Sequence, residues 1–229
     1  MFYVINRMYM EGMVSDAQKR GTIVCLPNKV DPVSPEYYRP LTLLSADYTL
    51  LTHIIAHRLR PRMKGILHRN QYSGRVGSKI FEAIVSVRDI IAYAEETNRP
   101  TCVLTIDFKE AFDRMSHFFL FLILKVYGIS ERFCKRLQKI YANATSTLTI
   151  NGNQSKKIYK HSGVRQGCPL SVLLFALCIN LLPFNLDKEA ARTRTRITWC
   201  QNDGNCVCGR HNHHRHETAR YRHHSRGST

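Results

Sequence analysis

Apolar residues recur along this chain with two different periods, and the change of period marks its elements. Over residues 79–98, Ile80, Ala83, Ile84, Val87, Ile90, Ile91 and Ala94 keep helical spacing until Arg99-Pro100 ends the pattern, which predicts a helix. Residues 101–108 are rich in β-forming side chains and hold no Gly or Pro, so a buried strand is expected there. A helix over about 115–127 follows, closed by Gly128. Ser130 is placed to cap another, with Phe133, Leu137, Ile140 and Tyr141 on one face. Thr147-Leu148-Thr149-Ile150, Asn151-Gly152 and Lys157-Ile158-Tyr159 read as a hairpin, because Asn-Gly suits the turn that matches strand twist. Nearer the start, the first twenty residues read as one helix stopping at Gly21, and residues 22–26 as a strand. Residues 31–40, with three prolines, read as a loop, and residues 45–60 as a helix stopped by Pro61.

The apolar run 168–186 is uncharged and close to the ~20 residues that span a bilayer. Pro169, Asn180, Pro183 and Asn185 punctuate it, and it is expected to be a buried helix of a soluble fold, with no membrane partner. Beyond about residue 190 the character of the chain changes. Residues 191–229 hold six of the 11 His, three of the 8 Cys and eight Arg, with almost no aliphatic periodicity, and no core is expected there.

Composition narrows the partners. The 229 residues are 44% hydrophobic, enough for a globular body, and carry 34 Lys and Arg against 17 Asp and Glu, a formal charge of +17. Such a balance favours a polyanion, with nucleic acid ahead of an anionic membrane, but it names no reaction. The cysteines follow no disulfide framework and no secretory leader is evident at the start. A reducing, intracellular setting is therefore expected, cytoplasmic or nuclear, and not a secreted one.

Two segments carry candidate chemistry. In Leu104-Thr105-Ile106-Asp107-Phe108-Lys109-Glu110-Ala111-Phe112-Asp113, a carboxylate stands at a strand end, where a metal could reach it; Asp107 or Asp113 could equally cap the following helix. In Ser162-Gly163-Val164-Arg165-Gln166-Gly167-Cys168-Pro169-Leu170-Ser171, a Gly-punctuated basic turn opens the apolar run and would let backbone approach a ligand closely, or simply start a helix.

In this order the two segments resemble motifs A and B of reverse transcriptases, and Arg-Gln-Gly-Cys-Pro-Leu-Ser is the wording of the non-LTR, LINE-like retrotransposon branch. Ile23-Val24-Cys25-Leu26-Pro27 and Tyr38-Arg39-Pro40-Leu41-Thr42-Leu43-Leu44 resemble the family's fingers, and Asn70-Gln71-Tyr72 with Gly77 its template-side motif. The likeness covers about residues 1–190. It departs at Asn28, where Lys is usual, at Ser78, where Arg is usual, and near Ala17, where a Trp is usual.

The resemblance implies an α/β (α+β) fold, the fingers and palm of a right-hand polymerase, with a small antiparallel palm sheet packed by helices and the thumb absent. Residues 1–95 would be fingers-like, 96–190 palm, and 191–229 a Cys/His/Arg-rich tail. It further implies an RNA-directed DNA polymerase taking an RNA template, a DNA primer and dNTPs, with two Mg²⁺ about 3.5 to 4 Å apart at the reacting phosphate. Asp107 would be a catalytic metal ligand, joined by the Phe108 backbone. Phe112 would be the steric gate against a ribose 2′-OH. Arg39, Arg165, Gln166 and Gly167 would hold the nucleotide, and Gln71 and Lys29 would touch nucleic acid. A group II intron maturase and a non-catalytic nucleic-acid-binding remnant are the alternatives.

One part of the pattern is missing. The family supplies further carboxylates from an Asp-Asp pair beyond motif B, and this chain contains no Asp-Asp. Cys206, Cys208, His211, His213, His214 and His216 have zinc-ligand chemistry without a standard spacing. A change of reading frame accounts for more. With permitted codons, residues 206–211 read one base later spell Ala-Tyr-Ala-Asp-Asp, followed by apolar residues. The expectation is therefore a frame change between about residue 190 and Cys206, and an inactive chain.

Overall fold

The computed structural model describes residues 2–28, 34–75, 77–98, 103–193 and 198–201. The chain opens with α1 (Phe2–Glu11) and the short α2 (Asp16–Lys19), not one continuous helix. Gly12, at φ 67°, ends α1, and Ser15 starts α2 with a reciprocal cap in which its hydroxyl accepts from the Gln18 backbone and the Gln18 amide accepts from the Ser15 backbone. Strand β1 (Gly21–Pro27) follows, then a 3-10 turn (Pro35–Tyr37) and β2 (Tyr38–Leu44). The stretch expected as a loop through Pro40 is thus partly strand. β2 lies at the edge of its sheet, where Pro40 can turn its missing donor outward.

Helix α3 (Ala46–Ile66) runs through Pro61 instead of stopping there. His57, whose carbonyl loses its usual donor, and Pro61 itself are both exposed, so water can satisfy that carbonyl. Helix α4 (Ile80–Glu96) forms as its spacing predicts, yet of its apolar face only Ala83 is fully buried, with Ile80, Ile84 and Ile91 exposed.

Strand β3 (Val103–Ile106) leads to the Asp107 segment. After it come α5 (His117–Val126), α6 (Glu131–Tyr141) and β4 (Thr145–Ile150), then two short strands, β5 (Asn153–Gln154) and β6 (Ile158–Tyr159). Ser130 caps α6 as expected, its hydroxyl accepting from the Phe133 backbone. Asn151 and Gly152 both take positive φ, 49° and 81°, which is what the two-residue hairpin turn requires. The chain continues with α7 (Ser171–Ile179), α8 (Leu181–Thr193) and β7 (Thr198–Gln201).

The main sheet is mixed, in the order β2-β1-β4-β5, with β6 also on β4. β1 pairs antiparallel with β2 over its whole length and parallel with β4 from Gly21↔Ser146 to Val24↔Thr149. The strand leading to Asp107 lies in a separate pair: β3 runs parallel to β7. The α/β class is as expected, but that strand's described partner is parallel, and it comes from the segment read as coreless.

The core lies around α7. All of its residues but Val172 are buried, packed on α3 and α5 with Leu51, Ile55, Leu120 and Leu124. The residues 171–189 are long and apolar enough to cross a bilayer, yet α7 fills the interior of this fold. Asn180, fully buried between α7 and α8, uses its polar atoms on protein groups. It accepts from the His68 backbone at 2.7 Å and donates to the Ile66 carbonyl and the Tyr127 hydroxyl, each at 3.0 Å.

Candidate functional site

The loop at residues 162–168 is fastened on both sides. On one side the Gly163 amide donates to the Met115 carbonyl at 2.6 Å and the Val164 amide to the Phe112 carbonyl at 2.7 Å. On the other, the Thr42 amide of β2 donates to the Gln166 carbonyl at 2.9 Å. His117 adds a contact of 2.8 Å, its Nε2–H donating to the Gly163 carbonyl. Two glycines make this fit possible. A Cβ on Gly163 (φ 77°) would lie 2.6 Å from the Asp113 carbonyl oxygen, and one on Gly167 (φ 99°) 2.7 Å from that of Thr42.

These bonds draw three distant parts of the chain around one cleft of about 760 Å³. Tyr38, Arg39 and Pro40 come from β2, Phe108, Glu110, Ala111 and Phe112 from the segment after β3, and Arg165, Gln166, Gly167, Cys168, Ser171 and Val172 from the loop and the start of α7. Arg39 is exposed. Phe112 is half-buried and stacked on Phe175 of α7, with ring centroids 5.0 Å apart, so the core beneath fixes its ring. The Gln166 amide donates to Asp113 Oδ2 at 3.1 Å, and Lys160 forms an ion pair with the other Asp113 oxygen. Asp113 therefore orients the amide of Gln166. It does not cap the next helix, whose cap position is Ser116.

Two expected contact residues are buried, Arg165 in the cleft wall and Gln71 away from it. Arg165 is 1% exposed and directs its guanidinium into the body, where Nη2 donates to the carbonyls of Lys19 and Thr145 and the group lies 5.3 Å from the centre of the Tyr48 ring. It ties the end of α2 to the start of β4. Its Nε and Nη1 have no hydrogen-bond partner among the described residues, nor does the nearby hydroxyl of Tyr48. Burial pushes the hydroxyls of Tyr48 and Tyr141 well above their ordinary pKa, so they stay neutral beside the guanidinium. Gln71 is likewise fully buried, with both amide atoms unpartnered among the described residues, and offers no surface for a strand to touch. Lys29 lies outside the described residues.

Asp107 follows the last residue of β3 and is exposed. The carboxylates near it in the chain are committed: Glu110 to Arg114 at 3.3 Å, and Asp113 to Lys160 and Gln166. Among the described residues no three Asp, Glu, His or Cys side chains converge as a metal-holding group. Mg²⁺ favours oxygen ligands in near-octahedral geometry, and a pair of ions needs several carboxylates. The described donor set does not fit such a pair. The Cys/His cluster from Cys206 to His216 lies outside the described residues.

Sequence reasoning placed Arg39, Phe112, Gln166 and Gly167 in one site. It did not find the supporting roles of Asp113, Lys160, Thr42 and His117. Lys160 stands two residues before Ser162, but only the folded register of the loop against residues 112–115 brings it to Asp113.

Residues 26–215 match the family described as reverse transcriptase (RNA-dependent DNA polymerase). Among curated proteins, the chain is similar to the 149 kDa protein of transposon TX1 from Xenopus laevis, 31% identical over 77% of this chain and 14% of that protein. It is also similar to the Pol polyprotein of the type-2 retrotransposable element R2DM from Drosophila melanogaster, 26% identical over 86% of this chain and 19% of that protein. Against the Pol polyprotein of the type-1 element R2 from Popillia japonica it is 30% identical, over 66% of this chain and 21% of that one. The chain thus spans between 14 and 21% of these relatives' lengths.

Proposed function

From the premise that this chain belongs to the reverse transcriptase family, in its non-LTR retrotransposon branch, we propose that it is the nucleotide-holding part of such an enzyme and does not itself extend a primer. Residues 1–95 serve as fingers and residues 96–190 as palm, working inside the cell on an RNA template and a DNA primer.

The observation that carries this reading is the double fastening of the 162–168 loop, which brings Arg39, Phe112 and Gln166 to one cleft. Arg39 presents a guanidinium, whose planar fork matches phosphate oxygens two at a time. The ring of Phe112, braced by Phe175, lines the same cleft and is the group assigned to exclude a ribose 2′-OH. Gln166, steered by Asp113, offers polar atoms at the cleft wall. These groups recognise a deoxynucleotide without requiring a reaction.

Chemistry needs more than they supply. Nucleotidyl transfer builds charge on phosphate oxygens, and loss of the groups that stabilise it costs orders of magnitude in rate. Asp107 has no converging carboxylates among the described residues, and the chain contains no Asp-Asp pair. Activity is therefore lost at the carboxylates and binding is kept at the cleft.

Equilibrium binding of a fluorescent dATP analogue checks this. Saturable binding that the 2′-hydroxyl analogue matches only weakly, and that falls about tenfold in Arg39→Ala, is the expected result. Binding unchanged by that substitution would remove Arg39 and this cleft from the account.

A further inference from the structure

A second basic surface lies apart from the cleft and shares no lining residue with it. Helix α6 is split lengthwise: Cys134, Leu137, Ile140 and Tyr141 are buried, while Arg132, Lys135, Arg136 and Lys139, at positions i, i+3, i+4 and i+7, line one face. With Met10 and Glu11 of α1 and Glu131 they bound an open groove of about 370 Å³.

The groove is built by named contacts. Arg136 of α6 and Arg58 of α3 both lie over the ring of Tyr9, with guanidinium carbons 5.1 and 4.2 Å from its centre. Gly12, with its positive φ, lets the Lys139 stem lie against the backbone; a Cβ there would meet Lys139 Cδ at 3.0 Å. The Lys139 ammonium donates to the Glu11 carbonyl at 3.1 Å. Of the two carboxylates, Glu131 pairs with Lys135 at 3.0 Å, and Glu11 pairs with Arg7, which lies outside the lining, at 3.3 Å. Four cations therefore face two carboxylates; Lys135 answers Glu131, Arg7 answers Glu11 from outside, and Arg132, Arg136 and Lys139 line the groove with no carboxylate partner among the described residues, in a chain of net charge +17.

We propose that the α1–α6 groove binds the phosphate backbone of double-stranded nucleic acid, independently of the nucleotide cleft. Its lining favours a duplex over a single strand. Single-strand grooves combine cations with open aromatic platforms on which bases stack, whereas among the described residues no aromatic side chain lines this groove and the Tyr9 ring beside it is covered by two guanidiniums. Cations without base-reading groups hold a backbone and select no sequence.

The salt dependence of binding a short heteropolymeric DNA duplex tests this, with the unaltered chain set against the triple variant Arg132→Gln/Lys135→Gln/Lys139→Gln. On B-DNA each lost phosphate contact lowers the slope of log K against log salt by about 0.9, so a fall of about 2 to 3 is expected. The fall should be smaller on a single strand of the same sequence. Arg39→Gln, altered only in the cleft, should keep the full duplex slope, which separates failure of the groove from failure of the cleft reading. An unchanged slope in a triple variant that melts like the parent overturns the proposal, as does a loss confined to the single strand. Should the triple variant fail to fold, acetylation of the unaltered chain decides. Protection of Lys135 and Lys139 by duplex supports the groove, while no protection, or protection by phosphatidylserine vesicles and not by duplex, overturns it.

Discussion

The loop at residues 162–168 and the strand end at Asp107, which the proposed function assigns to one site, are built in different ways. The loop is held by backbone bonds to β2 and to residues 112–115, rests on a buried helix, and contains two glycines that tolerate no side chain. The strand end projects from a four-residue strand paired only with β7 among the described residues, and its carboxylate is exposed. The contrast separates two tasks of a polymerase. On the proposed reading, the groups that hold a nucleotide are embedded in the fold itself, so that task would survive wherever the fold survives. Supplying carboxylates depends on separate strands meeting at one point, and one missing contributor is enough to end it.

The strongest way to break this contrast is at Gly163. Gly163→Ala forces a Cβ into the Asp113 backbone at a positive φ, and should lower unfolding free energy by about 3 kcal/mol or more, read by urea denaturation. Gly128→Ala, with similar φ but nothing within 4 Å of the added carbon, should cost only about 1 kcal/mol. Equal costs at the two positions would show that the loop is not clamped as described.

Phe112→Ala comes next. Losing a half-buried ring and its stack on Phe175 should cost about 2 kcal/mol in the same experiment. It should also let the ribonucleotide analogue bind as well as the deoxynucleotide. Unchanged selectivity would leave Phe112 as a core residue and nothing more.

Gln166→Ala sharpens the contrast at smaller scale. It removes one amide from the cleft wall, so nucleotide affinity should fall about fivefold, with stability shifted by under about 1 kcal/mol. Asp113→Asn should give a similar but smaller loss, because the pair with Lys160 is weakened while the hydrogen bond from Gln166 can persist. An Asp113 effect larger than that of Gln166 would mean that the carboxylate has a role of its own.

The smallest effect belongs to the other half of the comparison. Asp107→Asn, at an exposed position, should change stability by less than about 0.5 kcal/mol and leave nucleotide binding as it was. A large loss of stability would mean that the strand end is more deeply embedded than its exposure indicates.

Much of this was legible in the sequence, for physical reasons that differ by residue. Helical spacing over residues 79–98, the Ser130 cap and the Asn151-Gly152 turn are local signals, and each appears where expected. The union of Arg39, Phe112 and Gln166 was legible only through resemblance, since their contact depends on a register that no short window contains. Local breakers misled twice. Pro40 read as part of a loop and Pro61 as a helix stop, but edge position in one case and solvent exposure in the other remove the usual penalty. Arg165 and Gln71 were expected to touch ligand because their motifs resemble those of the family. Both are interior, and the guanidinium of Arg165 answers two carbonyls that become neighbours only when β4 aligns with β1.

The central claim is that this chain keeps the cleft and lacks the carboxylates. Primer extension on an RNA template with Mg²⁺, run on this chain beside one in which the shifted frame restores Ala-Tyr-Ala-Asp-Asp, tests it most directly. Template-directed products from the restored chain alone are the predicted result; equal extension by both would contradict the account.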